Sequence, residues 1–120
     1  VKMITKKTIK VPLYPCKLEI IIYDEPNEVE ILRDRRRTDV GFCDYNNSWI
    51  TMGVQSNVGV SVITHESHHA KNSIWSFIGY TPQNDNDEVD AYLIGWIAKQ
   101  VTDLYYKHKD KFNEKESKTK

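Results

Sequence analysis

The stretch His65-Glu66-Ser67-His68-His69 holds three of the four histidines of a 120-residue chain. His65, Glu66 and His69 satisfy the pattern H-E-x-x-H. On a helix, residues four apart lie one turn along the same face, so the imidazoles of His65 and His69 can bind a single Zn2+. Glu66 follows His65 by about 100° of rotation, on the flank of that face. From there it can reach a water at the metal without ligating the metal itself, the position of a general base in metal-dependent hydrolysis. A surface helix with incidental histidines is the plainer reading of the same residues. His68 falls off the shared sector and is assigned to solvent or to support of the ligands.

A catalytic zinc site takes three protein ligands, so one more group is needed. The remaining histidine, His108, lies in or near a charged C-terminal stretch. That leaves the acids of NDNDEVDAYLIGWI: Asp85, Asp87, Glu88 and Asp90. Glu88 is the best placed, at the start of a predicted helix with Tyr92 one turn later on its face. Ala91 and Gly95 offer small surfaces where this helix could approach the histidine helix. The same letters fit a capping box with Asp85 at N-cap and Glu88 at N3, so Glu88 reads as ligand, as cap, or as both. Asp87 and Asp90 read as helix-dipole or supporting carboxylates. Tyr80 and Tyr92 are the tyrosines that could steady charge developing on a substrate.

The elements that must position these groups follow from periodicity. Residues 4–14 and 16–24 are rich in β-branched and apolar side chains and are separated at Pro15, which predicts two strands forming a hairpin. The segment PNEVEILRDRRR opens with Pro26 and Asn27 and carries acids early and arginines late, the charge order of a short helix. VGFCDYN and SWITMGV flank Asn46 and Asn47, a polar turn between two further strands. The second of these, residues 48–54, is the candidate edge to which an extended substrate could add. From about Val58 to Ile78 the apolar residues take helical spacing, and Gly79 can end that helix. A second long helix is predicted from about Asp87 to His108. This order gives an α+β domain, with a small, mainly antiparallel sheet on two long helices. A single domain over residues 1–112 is expected, with 113–120 a frayed charged tail.

At this point the residues take on a family likeness. H-E-x-x-H, a loop of about twenty residues and then DEVDAYLIGW resembles a group of small zinc metallopeptidases encoded by tailed phages of gut bacteria. The resemblance extends to the KVPLY strand near the N-terminus. It is similar, more distantly, to compact peptidases that cleave phage repressors or respond to radiation. The resemblance implies a minimal zincin: His65 and His69 as zinc ligands, Glu66 as the catalytic glutamate and Glu88 as the third ligand. It also implies a peptide or protein substrate, and residence in the bacterial host cytoplasm or in the virion. The rival expectation is a metal-stabilised phage binding or virion-associated protein that does not catalyse.

Composition narrows the partners. Seventeen Lys+Arg balance seventeen Asp+Glu, which argues against a nucleic-acid or membrane-surface binder. The basic run at residues 33–37 is read as a solvated helix end. No apolar run approaches the roughly 18 residues of a membrane span, and no secretory h-region follows the N-terminus. A cytoplasmic protein is expected, with Cys16 and Cys43 as reduced, buried thiols.

Overall fold

A computed structural model describes residues 4–34 and 39–119. Four strands, β1 (Ile4–Lys10), β2 (Lys17–Tyr23), β3 (Gly41–Asn46) and β4 (Trp49–Gln55), form one sheet in the order β1-β2-β4-β3. β1 pairs antiparallel with β2 and β3 with β4, while β2 and β4 run parallel. The helices are α1 (Glu30–Asp34), α2 (Val60–Ile78) and α3 (Glu88–Thr119), with a 3-10 turn at Pro26–Glu28. The fold is α+β, as the periodicity predicts.

Alternation along the strands builds two layers of core. Leu18, Ile20 and Ile22 of β2 join Ile50, Met52 and Val54 of β4 beneath α2 and α3. The opposite residues, Ile21, Tyr23 and Phe42, pack with Val29 and Leu32 around α1. β2 is therefore covered on both faces, which is why it reads as the near-continuous apolar run LEIIIY. Each fully buried aliphatic side chain contributes about 1.5–3 kcal/mol relative to exposure. Cys16 is buried, Cys43 half-buried, and both are free thiols.

Several expectations need correction. β1 stops at Lys10 rather than Tyr14, because the chain turns through Pro12 and Leu13, the latter at φ 70°. β4 lies between β2 and β3, with both its edges already paired. It cannot take an added strand; the edges are β1 and β3, and β3 is the one beside α2. α3 begins at Glu88, and the Ala91 N–H donates to the Asp87 carbonyl. Asp87 thus holds the N-cap position and Glu88 the first helical one, so the box from Asp85 does not form. Ala91 and Gly95 are exposed and face away from α2. The contact face of α3 is instead Leu93, Ile97, Val101 and Leu104. α3 is helical from Glu88 to Thr119. The reading of Arg35, Arg36 and Arg37 as a solvated helix end lies outside the described residues. Among the described residues, no helix is long and apolar enough to cross a membrane.

His108 is not part of a tail. It is fully buried, with Nδ1 2.7 Å from Thr5 Oγ1 and Nε2 2.9 Å from Asp24 Oδ1. Ser56 Oγ donates to the same Asp24 oxygen at 2.6 Å. One imidazole thus ties α3 to β1 and to the ends of β2 and β4.

Candidate metal centre

α2 runs nineteen residues without proline or glycine and ends at Gly79, whose φ of 77° is a left-handed cap that glycine adopts without strain. Ile63, Ala70 and Ile74 fix one face on the sheet. Lys71 and Trp75 fix a second face on α3: Lys71 Nζ lies 3.0 Å and Trp75 Nε1 2.6 Å from the two carboxylate oxygens of Asp90. With two sides held, the remaining arc presents His65 and His69 outward and Glu66 toward β3.

The imidazoles face each other, Nε2 to Nε2, at 3.2 Å. Two nitrogens on one tetrahedral zinc, each about 2.0–2.1 Å from the metal, stand about 3.3–3.4 Å apart. The pair therefore has the span a single metal requires. It is equally the length of a hydrogen bond between one N–H and one lone pair. One carboxylate oxygen of Glu66 lies within 4.8 Å of a ring nitrogen of each histidine, so the three side chains could hold a metal ion. Among the described residues, His65, Glu66 and His69 form the only group of three or more such donors.

Glu66 is buried, unlike the exposed histidines that flank it. It packs against Gly41, where a Cβ would come within 2.9 Å of the glutamate side chain. Cys43, two residues along β3, completes that wall. Burial pushes its thiol up to about 12, the nearby Glu66 charge adds to the effect, and a hydrogen bond with Ser73 opposes it. At neutral pH Cys43 is a neutral thiol, neither nucleophile nor thiolate ligand.

Between β3 and α2 runs an open groove of about 590 Å3, with Gly41, Cys43 and Tyr45 on one side and His65, His69 and Ser76 on the other. Val40 accepts a backbone hydrogen bond from the Gln55 N–H at 2.8 Å. This sets the phase of the antiparallel ladder: Phe42, Asp44 and Asn46 exchange bonds with β4, and the N–H and C=O groups of Gly41, Cys43 and Tyr45 point outward. The Tyr45 N–H is accepted by Asp44 Oδ1 at 2.9 Å. The free edge of β3 thus borders the histidine pair.

Of the sequence-predicted site, His65, Glu66 and His69 come together and Glu88 does not. Glu88 is exposed on the first turn of α3, about 200° around that helix from Asp90, which faces α2. The face of α2 that meets Asp90 is itself about 120° from the His65/His69 face. Asp90 proves to be a clamp between helices. Its burial works against its charge, yet hydrogen bonds from Trp75 and Lys71 and the charges of Lys71 and His68 outweigh this and hold its carboxyl below the ordinary carboxylate value. His68 is exposed and bonded to Asn72 at 3.1 Å. Tyr92 is 74% exposed and turned outward, and Tyr80 stacks on Trp75. Tyr45, which sequence reasoning passed over, is the tyrosine of the groove. The shared period-two face of Gly41, Cys43 and Tyr45 was the available signal, but nothing in it marks β3 as the edge.

No protein-family model, no curated protein and no solved structure matches the chain.

Proposed function

We propose that the chain is a zinc-dependent peptidase in which His65 and His69 hold the metal and Glu66 is the general base. The observation that carries this is the convergence of His65, Glu66 and His69 beside the free edge of β3. The donor set fits: two imidazoles at the span of one tetrahedral ion, with a carboxylate on their flank. The motif's likeness to small zinc metallopeptidases of tailed phages adds to it.

An extended peptide adds to β3 through the outward N–H and C=O groups of Gly41 and Cys43 and the C=O of Tyr45, which sets its scissile bond along the histidine pair. Bound Zn2+ would polarise the carbonyl of that bond and lower the pKa of a water to about 7. Glu66, seated between Gly41 and the histidines, takes the proton from this water and passes it to the leaving amine. Glu88 enters as third ligand through its place in the sequence and the resemblance, and its ligation requires the first turn of α3 to swing toward His69.

The same geometry favours a second reading. If Glu66 itself completes the ligand set, no base remains, and the chain is a metal-stabilised binding or virion-associated protein without activity. Metal analysis and hydrolysis of unfolded protein substrates separate the two. For the peptidase, Glu66→Gln keeps its zinc and loses about 10²–10⁴-fold in rate. His65→Ala and His69→Ala lose the metal, while His68→Ala keeps it. A Glu66→Gln protein that loses zinc, from a parent without hydrolytic activity, selects the second reading.

A further inference from the structure

The groove beside β3 is uneven in what its walls can hold. Most of the side chains along it are small or polar: Gly41 and Cys43 on the strand, Asn72, Ser73 and Ser76 on α2. Phe42 also borders it but is buried with the α1 core. Tyr45 is the exception, a large ring lining the groove and 57% exposed. Strand alternation puts that ring on the same face of the sheet as Gly41 and Cys43, the face that α2 covers.

The backbone of Tyr45 adds a second asymmetry. Gly41 and Cys43 offer an incoming strand both an N–H and a C=O, whereas the Tyr45 N–H is already donated to Asp44 Oδ1 at 2.9 Å. A peptide on this edge therefore loses a ladder bond on reaching Tyr45, where the ring is the group left to hold it. Ladder bonds are indifferent to side-chain identity, and a ring is not. We propose that Tyr45 is a specificity-determining residue of the groove, selecting extended peptides that carry an aromatic side chain opposite it. The inference rests on the peptidase reading for its substrate class. Glu66 lies against Gly41 and lines the groove beside Cys43, so the bond under attack lies opposite the stretch from Gly41 to Cys43. Tyr45 stands two residues past Cys43, about 7 Å farther along the strand. A residue opposite it on an added strand lies about 5 Å away and shows its side chain on the same face. The selected ring thus falls two to four residues from the cleaved bond, on one side of it. Contact between two aromatic rings at such spacing corresponds to a preference of about 2- to 10-fold over a small side chain.

Two measurements on the full chain in zinc-containing buffer test this, with one library of decapeptides randomised at every position. Affinity selection on Glu66→Gln, which retains peptides without cutting them, reads the preference apart from chemistry. Cleavage by the wild type reads it at the bond. Retained peptides are expected to be enriched about 2- to 10-fold in Phe, Tyr or Trp, and cleaved ones to carry that ring two to four residues to one side of the cut. Added to Glu66→Gln, Tyr45→Phe keeps the enrichment and Tyr45→Ala, at an exposed position, abolishes it. In the otherwise wild-type chain, Tyr45→Ala leaves zinc content unchanged and its effect on aromatic substrates falls on KM. Enrichment that Tyr45→Ala abolishes upholds the proposal even where the wild type cuts nothing, a result that sinks the peptidase reading alone. No aromatic enrichment, or enrichment that survives Tyr45→Ala, overturns the proposal even where the wild type cuts.

Discussion

Gly41 of β3 and Glu66 of α2 occupy adjoining space so fully that a methyl group on Gly41 would stand 2.9 Å from both Cγ and Oε2 of Glu66, and 2.9 Å from Val62 Cγ1. Position 41 therefore sets how near the carboxylate can lie to the strand edge. In Gly41→Ala either Glu66 or the strand must shift. A misplacement of about 1 Å in a reacting group lowers rates by about 100-fold. We expect kcat/KM to fall by about that factor with zinc content unchanged. Full activity in Gly41→Ala would show that the observed seat of Glu66 is not its working position.

Glu88 separates into ligand or helix end by one variant. Losing a cap interaction costs about 0.5–2 kcal/mol, without touching zinc affinity. Losing a ligand weakens zinc binding by orders of magnitude, and stability then falls mainly because bound metal no longer favours the folded state. Glu88→Gln is expected to bind zinc far more weakly, while its metal-stripped form melts close to the metal-stripped wild type. Calorimetric titration with zinc and thermal melts read the two effects separately. An unaltered affinity would leave Glu66 as the third donor.

Asp90 should make stability depend on pH in a defined direction. Its carboxyl is held below the ordinary value in the folded chain, so the folded state binds this proton less readily than the unfolded one. The stabilisation is complete above the unfolded carboxylate value of about 3.9 and is lost as pH falls through the lower folded value. Removing the carboxylate also strands Lys71, whose side chain is only 7% exposed. We expect Asp90→Asn to cost about 2–3 kcal/mol at neutral pH, less than a fully buried pair because Asp90 keeps some contact with water. Denaturant melts against pH should show the gap between wild type and variant closing below about pH 4. A gap that stays constant into acid would mean the carboxylate's charge is not what clamps the helices.

The histidine pair was legible because its geometry is local. One turn of helix fixes His65 against His69 whatever surrounds it, and α2 carries that turn well inside its ends. Glu88 was misjudged although the period could place it: it lies roughly 140–180° around α3 from the buried Leu93 and Ile97, while Asp90 falls on their side. Strand order was harder still: β3 and β4 have similar alternation, and only the parallel pairing of β2 with β4 decides which is the edge. His108 was set aside because Lys107 and Lys109 surround it in sequence. The helical period that joins it to Leu104 and Val101 was the better guide.

The bond between Thr5 and His108 joins residues 103 positions apart. The β1–β2 hairpin is a near-neighbour contact that can close early, but its Thr5 hydroxyl and the Asp24 carboxylate wait for an imidazole near the far end of the chain. During synthesis at about 5–20 residues per second, the 103 positions that follow Thr5 must be made before that group arrives. Closing so long a loop is the entropically slow kind of step. A chain cut short before residue 108 would leave its first strand without that anchor and β2 with a carboxylate lacking its buried partner. The turn of α3 that carries His108 thus acts on a strand made 103 positions earlier, which stays unanchored until that turn arrives.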